Sequence, residues 1–419
     1  MSKKDTICAI DVGSSNIRTI IAQLVSAEEK PRIIGVGVAP SAGVRKGVIV
    51  DLEETVKSIN SCVEQAERTA GLNAENAIIS VGGSHIVSQY SKGVIAIGRA
   101  DGEVTEDDIS RVIGAAQAIS IPPNKEILHI IPRDYSLDDQ KNIKDPLGMN
   151  GVRLEVDAMI VEGSSPFIKN LVKCVEQAGI SPDNLVLSSL AASKAVLSKR
   201  QKELGVVLVD IGGGTTSVAV FEEDDLLHVA AIPVGGNHIT NDIAIGLRTS
   251  IEVAERVKLE YGSALPLEIG KKENINLSNI DSNEEGMVSR QHVSEIIEAR
   301  LEEIFSLVNK ELRIIKKDKL LPGGAVLVGA SAKLPGAVDL AKNCLGLPAQ
   351  TGFPIPLGGL VDKVDDPSFA ASVGLIMWAF ENRESGRKGR FGNKIAGNIS
   401  GNVGETMTSI KKWMGKFLP

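Results

Sequence analysis

Two stretches of this 419-residue chain carry residue types suited to handling phosphate. The first, "DVGSSN", holds Asp11, Gly13, Ser14, Ser15 and Asn16. The second, "DIGGGTT", holds Asp210, Gly212, Gly213, Gly214, Thr215 and Thr216. Glycines at a tight turn let backbone N–H groups point into a phosphate without a Cβ in the way. The serine and threonine hydroxyls add donors. A carboxylate beside a polyphosphate usually holds hydrated Mg2+, and that is the role expected of Asp11 and Asp210, acting through water. A lone Asp-x-Gly turn is ordinarily structural. Two matched copies in order, with a third glycine turn after Val328, point to a nucleotide site. The chain has neither the G-x-x-x-x-G-K-[ST] loop nor the G-x-G-x-x-G fingerprint, which disfavours a P-loop ATPase and a nicotinamide enzyme.

The elements that must position these loops are legible around them. "ICAIDVGSSNIRTIIAQL" (7–24) and "VVLVDIGGGTTSVAVFEE" (206–223) are copies of one design. Each is an apolar strand, Asp-apolar-Gly, small polar residues and a second β-branched strand, which reads as a β-hairpin. The two aspartates stand 199 positions apart, suggesting two related halves that open alike. Elsewhere strands alternate with helices, as in an α/β architecture. Helices are expected over 51–71, 105–119 (with Thr105 as N-cap and acids in the first turn), 164–179 and 289–315. The polar stretch 271–286 reads as a surface loop or hairpin, and "DPSFAASVGLIMWAFENR" as the last body helix.

Composition narrows the class. Hydrophobic residues are 43% and charged residues 24%, ordinary for globular domains, and the length suits two to four of them. Cys8, Cys62, Cys174 and Cys344 are scattered without C-x-x-C spacing and read as reduced core thiols in a cytosolic protein. The start lacks an apolar signal-peptide region, and no segment approaches the ~20 apolar residues of a membrane-spanning helix. The five histidines are too dispersed for a metal site, and His85, His129 and His228 read as structural. No Ser-His-Asp or Cys-His constellation stands out.

The charge is asymmetric. From Arg383 onward there are eight basic and two acidic residues, a net of +6, so the overall −7 leaves the preceding body at −13. An acidic body argues against nucleic-acid binding. Residues 386–404 hold six glycines in 19 and read as a flexible linker. Beyond it stands "ETMTSIKKWMGKFLP" (405–419). At about 100° per residue, Met407, Ile410, Trp413, Met414, Phe417 and Leu418 share an arc of roughly 140°, with Lys412 and Lys416 opposite and Lys411 flanking. Such a helix is about 21 Å long, too short to span a bilayer but suited to lying in its interface on anionic lipid. The plainer alternative is a helix that docks on its own domain or on a protein partner.

The paired loops together with "VLVGASAKLPG" resemble the nucleotide signature of the actin–Hsp70–sugar-kinase superfamily. "GVRKGVIVDLEETVKSI", "KDPLGMNGVRLEVD" and the amphipathic end narrow the resemblance to the bacterial FtsA cell-division family over essentially the whole chain. That resemblance implies an actin-like (ribonuclease H-like) two-lobed α/β fold with ATP and Mg2+ in the cleft. It also implies an FtsA-type 1C subdomain and a C-terminal amphipathic helix. The implied organisation is 1A over 1–85 and 163–200, 1C over 86–162, 2A over 201–245 and 313–366, and 2B over 246–312. A closing helix of 1A at 367–385, the linker at 386–404 and the membrane helix at 405–419 complete it.

By the same match, Gly236 and Asn237 lie near the nucleotide, while Glu255 and Lys258 flank the adenosine. The third turn contributes Gly329, Ala330, Ser331 and Lys333. A solvated i,i+3 pair is the plainer account of Glu255 and Lys258. Three departures matter. Asn16 stands where relatives often carry Lys, Gly329-Ala330 replaces Gly-Gly, and Ser188 stands where Hsp70-like relatives place a catalytic Glu. Without that base, water activation should be poor and ATP should act as an assembly switch with weak or negligible hydrolysis. The resemblance implies filaments, binding of the FtsZ C-terminal peptide at 2B and contact with later division proteins through 1C. Ile410, Lys411, Lys412, Trp413, Met414, Lys416, Phe417 and Leu418 would hold the cytoplasmic face of the cell membrane at the division site. A pilus-type actin homologue binding a membrane partner's peptide, and a small-molecule kinase, are the competing readings. Deleting residues 405–419 should abolish co-sedimentation with anionic liposomes; unchanged sedimentation would rule the anchor out.

Overall fold

The computed structural model of the protein describes residues 6–25, 30–118 and 121–388. Two sheets repeat one plan. In the first, Thr6–Val12 and Asn16–Gln23 form an antiparallel hairpin that pairs Asp11 with Arg18. The full order is Ser181–Leu187, Asn76–Val81, Thr6–Val12, Asn16–Gln23, Arg32–Pro40 and Gly358–Gly359. In the second, Val206–Ile211 and Thr216–Glu222 form the matching hairpin and pair Asp210 with Ser217. Its order is Asp225–Ile232, Thr216–Glu222, Val206–Ile211, Ala325–Val328 and Ala349–Thr351. Both hairpins read from sequence are therefore present, and each first strand has a parallel neighbour on its other side. Pro182, which has no N–H to donate, is tolerated because Ser181–Leu187 is an edge strand.

The apolar run "VVLV" buries both faces of its strand. Val206 and Leu208 join the core that extends into the first half, whereas Val207 and Val209 join a second core. Alternation along the strand thus couples two hydrophobic layers through one element. The first layer is spanned by the helices Ser188–Val196 and Ala370–Lys388. The second is filled largely by Arg290–Ile314, which buries Val293, Ile297, Leu301, Ile304, Phe305, Val308 and Leu312 at helical spacing. Each such side chain contributes about 1.5–3 kcal/mol on leaving water.

A third core belongs to a separate sheet, ordered Val87–Ala96, Arg153–Ser164, Lys125–Leu137, Gln140–Ile143, and covered by Glu106–Gln117. Thr105 caps that helix as expected, its hydroxyl accepting from Asp108 N–H while the Asp108 carboxylate returns to Thr105 N–H. Among the described residues, polar contacts run from this inserted unit to the second repeated sheet. Ser88 Oγ donates to Val229 O at 3.1 Å, Tyr90 Oη donates to Leu227 O, and Lys144 pairs with Asp225. His129, also in the inserted sheet, accepts from Leu187 N–H of the first repeated sheet at 3.0 Å, and burial lowers its pKa to about 4. His85 accepts from Ser164 N–H, and His228 meets Glu311, which are structural placements.

Most expected helices start and stop within a few residues of their sequence limits. The polar stretch after 270 forms a small hairpin, Asn274–Asn276 with Met287–Ser289. The closing helix begins after a 3-10 turn, Pro367–Phe369, and runs to Lys388, beyond the expected limit of 385. Cys8, Cys62 and Cys174 are buried, but Cys344 is only half-buried. No helix among the described residues is long and apolar enough to cross a membrane. The amphipathic segment 405–419 lies outside the described residues, as does the linker beyond Lys388.

The helix pair that spans the first core meets at Gly374, where an added Cβ would fall 1.8 Å from Ala191 O. Helix propensity alone would favour Gly374→Ala by about 1 kcal/mol. The clash should reverse that sign, and urea denaturation should show a loss of about 2 kcal/mol or more.

Candidate functional site

The turns of the two repeated hairpins face each other across a cavity of about 170 Å3 that opens to solvent. Contacts across the gap are short. Ser15 Oγ donates to Asn237 Oδ1 at 2.9 Å, and a Cβ on Gly213 would lie 1.9 Å from Ser15 Oγ. Ser14 Oγ accepts from Gly47 N–H, holding the first turn against the loop after Pro40. On the second side, Gly212 O accepts from Gly236 N–H and Gly213 O from Asn237 N–H. The turn is therefore joined directly to the start of the Gly236–Leu247 helix.

Asp11, Gly13, Ser14, Ser15 and Asn16 line the cavity from one side. Asp210, Gly212, Gly213, Gly214, Thr215, Gly236, Asn237, Glu255, Lys258, Gly329, Ala330 and Ser331 line it from the other. Two expected residues are not on this wall. Thr216 is fully buried and donates its hydroxyl to Val234 O, because strand alternation turns it away from Ser217. Lys333 is exposed and pairs with Asp366 at 2.6 Å.

Lys258 and Glu255 are no solvated surface pair. Lys258 is 6% exposed. Its ammonium donates to Glu255 at 2.6 Å, to Thr240 Oγ1 at 2.8 Å and to Gly236 O at 3.4 Å. The pair ties the Ile251–Tyr261 helix to the floor of the cavity.

Arg18 was not singled out in the sequence. It lies two positions beyond Asn16 on the same strand face, and it lines the cavity opposite Ser217. Its guanidinium stacks over Phe369 with Cζ 5.3 Å from the ring centre, and its buried Nε makes no hydrogen bond among the described residues. Ser80 was also missed. Its hydroxyl donates to Asp11 at 2.6 Å and accepts from Val12 N–H. The period of two from Asn16 could have found Arg18; nothing local marks Ser80.

The electrostatics follow from bringing two acids together. Burial and the negative charge of Asp11 push Asp210 up to about 7. Burial raises Asp11 too, opposed by the Ser80 hydrogen bond and by Arg18. Two carboxylates are too few to cage a divalent cation, so an ion held here would keep most of its water. Such a cation fits the pair because it would relieve both burial and repulsion. Glu255 is the remaining carboxylate on the wall, and Ser188 stands on it as a hydroxyl.

Because Asp210 binds its proton more tightly folded than unfolded, the native state holds the extra proton between about pH 4 and pH 7. Stability should fall as pH rises through that window. In urea denaturation without nucleotide or divalent ion, Asp210→Asn should flatten the fall. An equal slope in the variant would show that Asp210 is not its source.

Comparison with known proteins agrees with this architecture. Residues 207–374 match the family model "Cell division protein FtsA", and residues 83–162 match "SHS2 domain inserted in FTSA". A cell division protein FtsA from Pseudomonas aeruginosa is 39% identical, covering 91% of this chain and 90% of that protein. Its counterpart from Bacillus subtilis is 41% identical over 93% of this chain and 87% of its own, and that from Escherichia coli 31% identical over 98% and 97%. Among solved structures, a PilM-PilN type IV pilus biogenesis complex aligns with a TM-score of 0.66 at 15% identity, covering 90% of this chain and 98% of that one. MreB5 of Spiroplasma citri bound to AMPPNP aligns at 0.54 and 13% identity, covering 93% and 100%. At these identities the structural likeness establishes the fold, which is actin-like.

Proposed function

This chain belongs to the FtsA family of cell-division proteins, and from that premise we propose that it is an ATP-governed assembly protein tethering the division ring to the membrane. The observation that carries the proposal is the apposition of two glycine–hydroxyl turns, each preceded by a carboxylate, across one cavity. In this reading the amides of Gly213 and Gly214 and the hydroxyls of Ser14, Ser15 and Thr215 cradle the ATP phosphates. Arg18 supplies the counter-charge that Asn16 does not. Asp11 and Asp210 hold hydrated Mg2+, which neutralises the charge between the lobes. Glu255 and Lys258 fix the wall near the adenosine, with Gly329, Ala330 and Ser331 opposite.

A side chain that activates water must reach it and accept its proton. The Ser188 hydroxyl is a poor base, and Asp11 and Asp210 are committed to the cation. ATP therefore acts by occupancy, holding the lobes in an assembly-competent arrangement, with little turnover.

Binding of the FtsZ C-terminal peptide is assigned to 2B, residues 246–312. Support comes from Ile251, Leu259, Leu267 and Met287, large apolar side chains exposed within that segment. The inserted unit, taken as 1C over 86–162, would meet later division proteins and neighbouring protomers. The basic amphipathic tail would hold the assembly on the cytoplasmic face of the membrane. Single short helices bind weakly, so filament formation multiplies their hold.

In a pelleting assay with FtsZ and anionic vesicles, the full chain should bring FtsZ down in ATP. The non-hydrolysable AMPPNP should serve within about twofold of ATP, since occupancy rather than turnover is the signal. AMPPNP failing where ATP succeeds would refute the occupancy mechanism, and no pelleting with either would refute the assignment.

A further inference from the structure

The second repeated sheet has a pole opposite the cavity, where Val206–Ile211 and Ala325–Val328 begin. Leading into that pole is "KELRIIKKDKL" (310–320), five basic and two acidic residues in a body of net charge −13. Among the described residues, Lys317 is engaged by Glu222 and Glu311 by His228. Lys310, Arg313, Lys316 and Lys319 are exposed and enter no ion pair among the described residues. Beside them, Ile314 is 68% and Leu320 62% exposed.

The patch continues across a backbone seam. Gly323 N–H donates to Gly205 O at 2.7 Å, and Gly205 ends the short helix Lys199–Leu204. Lys199, Arg200 and Leu204 of that helix are exposed as well; the opposing acids are Glu203 in the helix, Glu223 and Asp224 in the turn bonded to its backbone, and Asp318 in the longer segment.

The closing helix of the described chain runs away from the cavity on the same side as the helix that leads to Lys199–Leu204. Ala370 and Ala371 line the cavity, and the helix they begin runs away from it to Lys388. On the way, Glu381 pairs with Lys194, in the helix that leads from Ser188 at the cavity towards Lys199–Leu204. The described chain therefore ends on a helix directed away from the cavity.

We propose that this face is a second membrane-contact surface, laid against anionic lipid headgroups while the C-terminal segment holds the bilayer. The proposal rests on the reading of that segment as a membrane helix. A bilayer offers what the face lacks, negative charge for the unpaired cations and an apolar boundary for Ile314, Leu320 and Leu204. The tail is a poor occupant, because its own net charge of +2, three lysines against Glu405, would be repelled. Contact would also fix how the molecule stands on the membrane, which a single tether cannot do.

The test uses the full chain and vesicles of phosphatidylglycerol in phosphatidylcholine, against phosphatidylcholine alone. A basic residue at an anionic surface is worth about fivefold in partition. The combined variant Arg313→Glu, Lys316→Glu, Lys319→Glu should lose about tenfold or more on anionic vesicles and show a shallower salt dependence, with its melting temperature unchanged. In the unaltered chain, amides of 313–320 should gain protection from hydrogen exchange when anionic vesicles are added. Unchanged partition and no protection would overturn the proposal. Protection that appears on assembly without lipid would overturn it in favour of a contact between protomers. If deleting 405–419 costs nothing while the triple variant still loses partition, the patch stands and the tail reading falls.

Discussion

Two carboxylates that repel one another sit where two copies of the same hairpin turn face each other. Asp11 and Asp210 come from separate sheets, and neither would be costly alone at a wet turn. Together under protein they resist ionisation, and Asp210 does so strongly. The fold meets that cost with local devices. Ser80 hydrogen-bonds Asp11, and Arg18 places a positive charge by both acids. Around this pair the surrounding residues are small and hydroxylated, leaving room for a ligand that carries its own cation.

The duplication is not a perfect copy. In register, Arg18 of the first hairpin stands where the second has Ser217. The guanidinium of Arg18 has no counterpart on the second hairpin, so the two walls of the cavity are unlike. The half-buried ion pair of Lys258 and Glu255 belongs to the second half and adds to that asymmetry. A cleft between two similar sheets thus acquires direction through a few substitutions on a shared framework.

Much of this was legible in the sequence because its signals are local. The hairpins showed themselves as apolar runs broken by Asp-x-Gly, and the Thr105 cap and the apolar stripe of Arg290–Ile314 follow short-range rules. Misreadings arose where side-chain direction or distant partners decide. Thr216 looked like part of the turn, but strand alternation sends it into the core. Lys333 looked like a cation for the site, yet Asp366, 33 positions away, takes it. Glu255 and Lys258 could pass for a solvated pair until Thr240 and Gly236 closed over the ammonium. Ser80 has no neighbouring signal; only the parallel pairing of its strand beside Thr6–Val12 brings it to Asp11.

The inserted sheet is covalently part of the first half but hydrogen-bonded to the second. Its chain enters after Asn76–Val81 and leaves into Ser165–Gln177, while Ser88, Tyr90 and Lys144 grip Leu227, Val229 and Asp225. Leu227 and Val229 lie on the strand that leads through Ile232 to Gly235 and Gly236 at the cavity. A body pinned at two sides of a hinge behaves like a crank. Any change in the angle between the two repeated sheets would have to break those contacts or carry the inserted sheet with it.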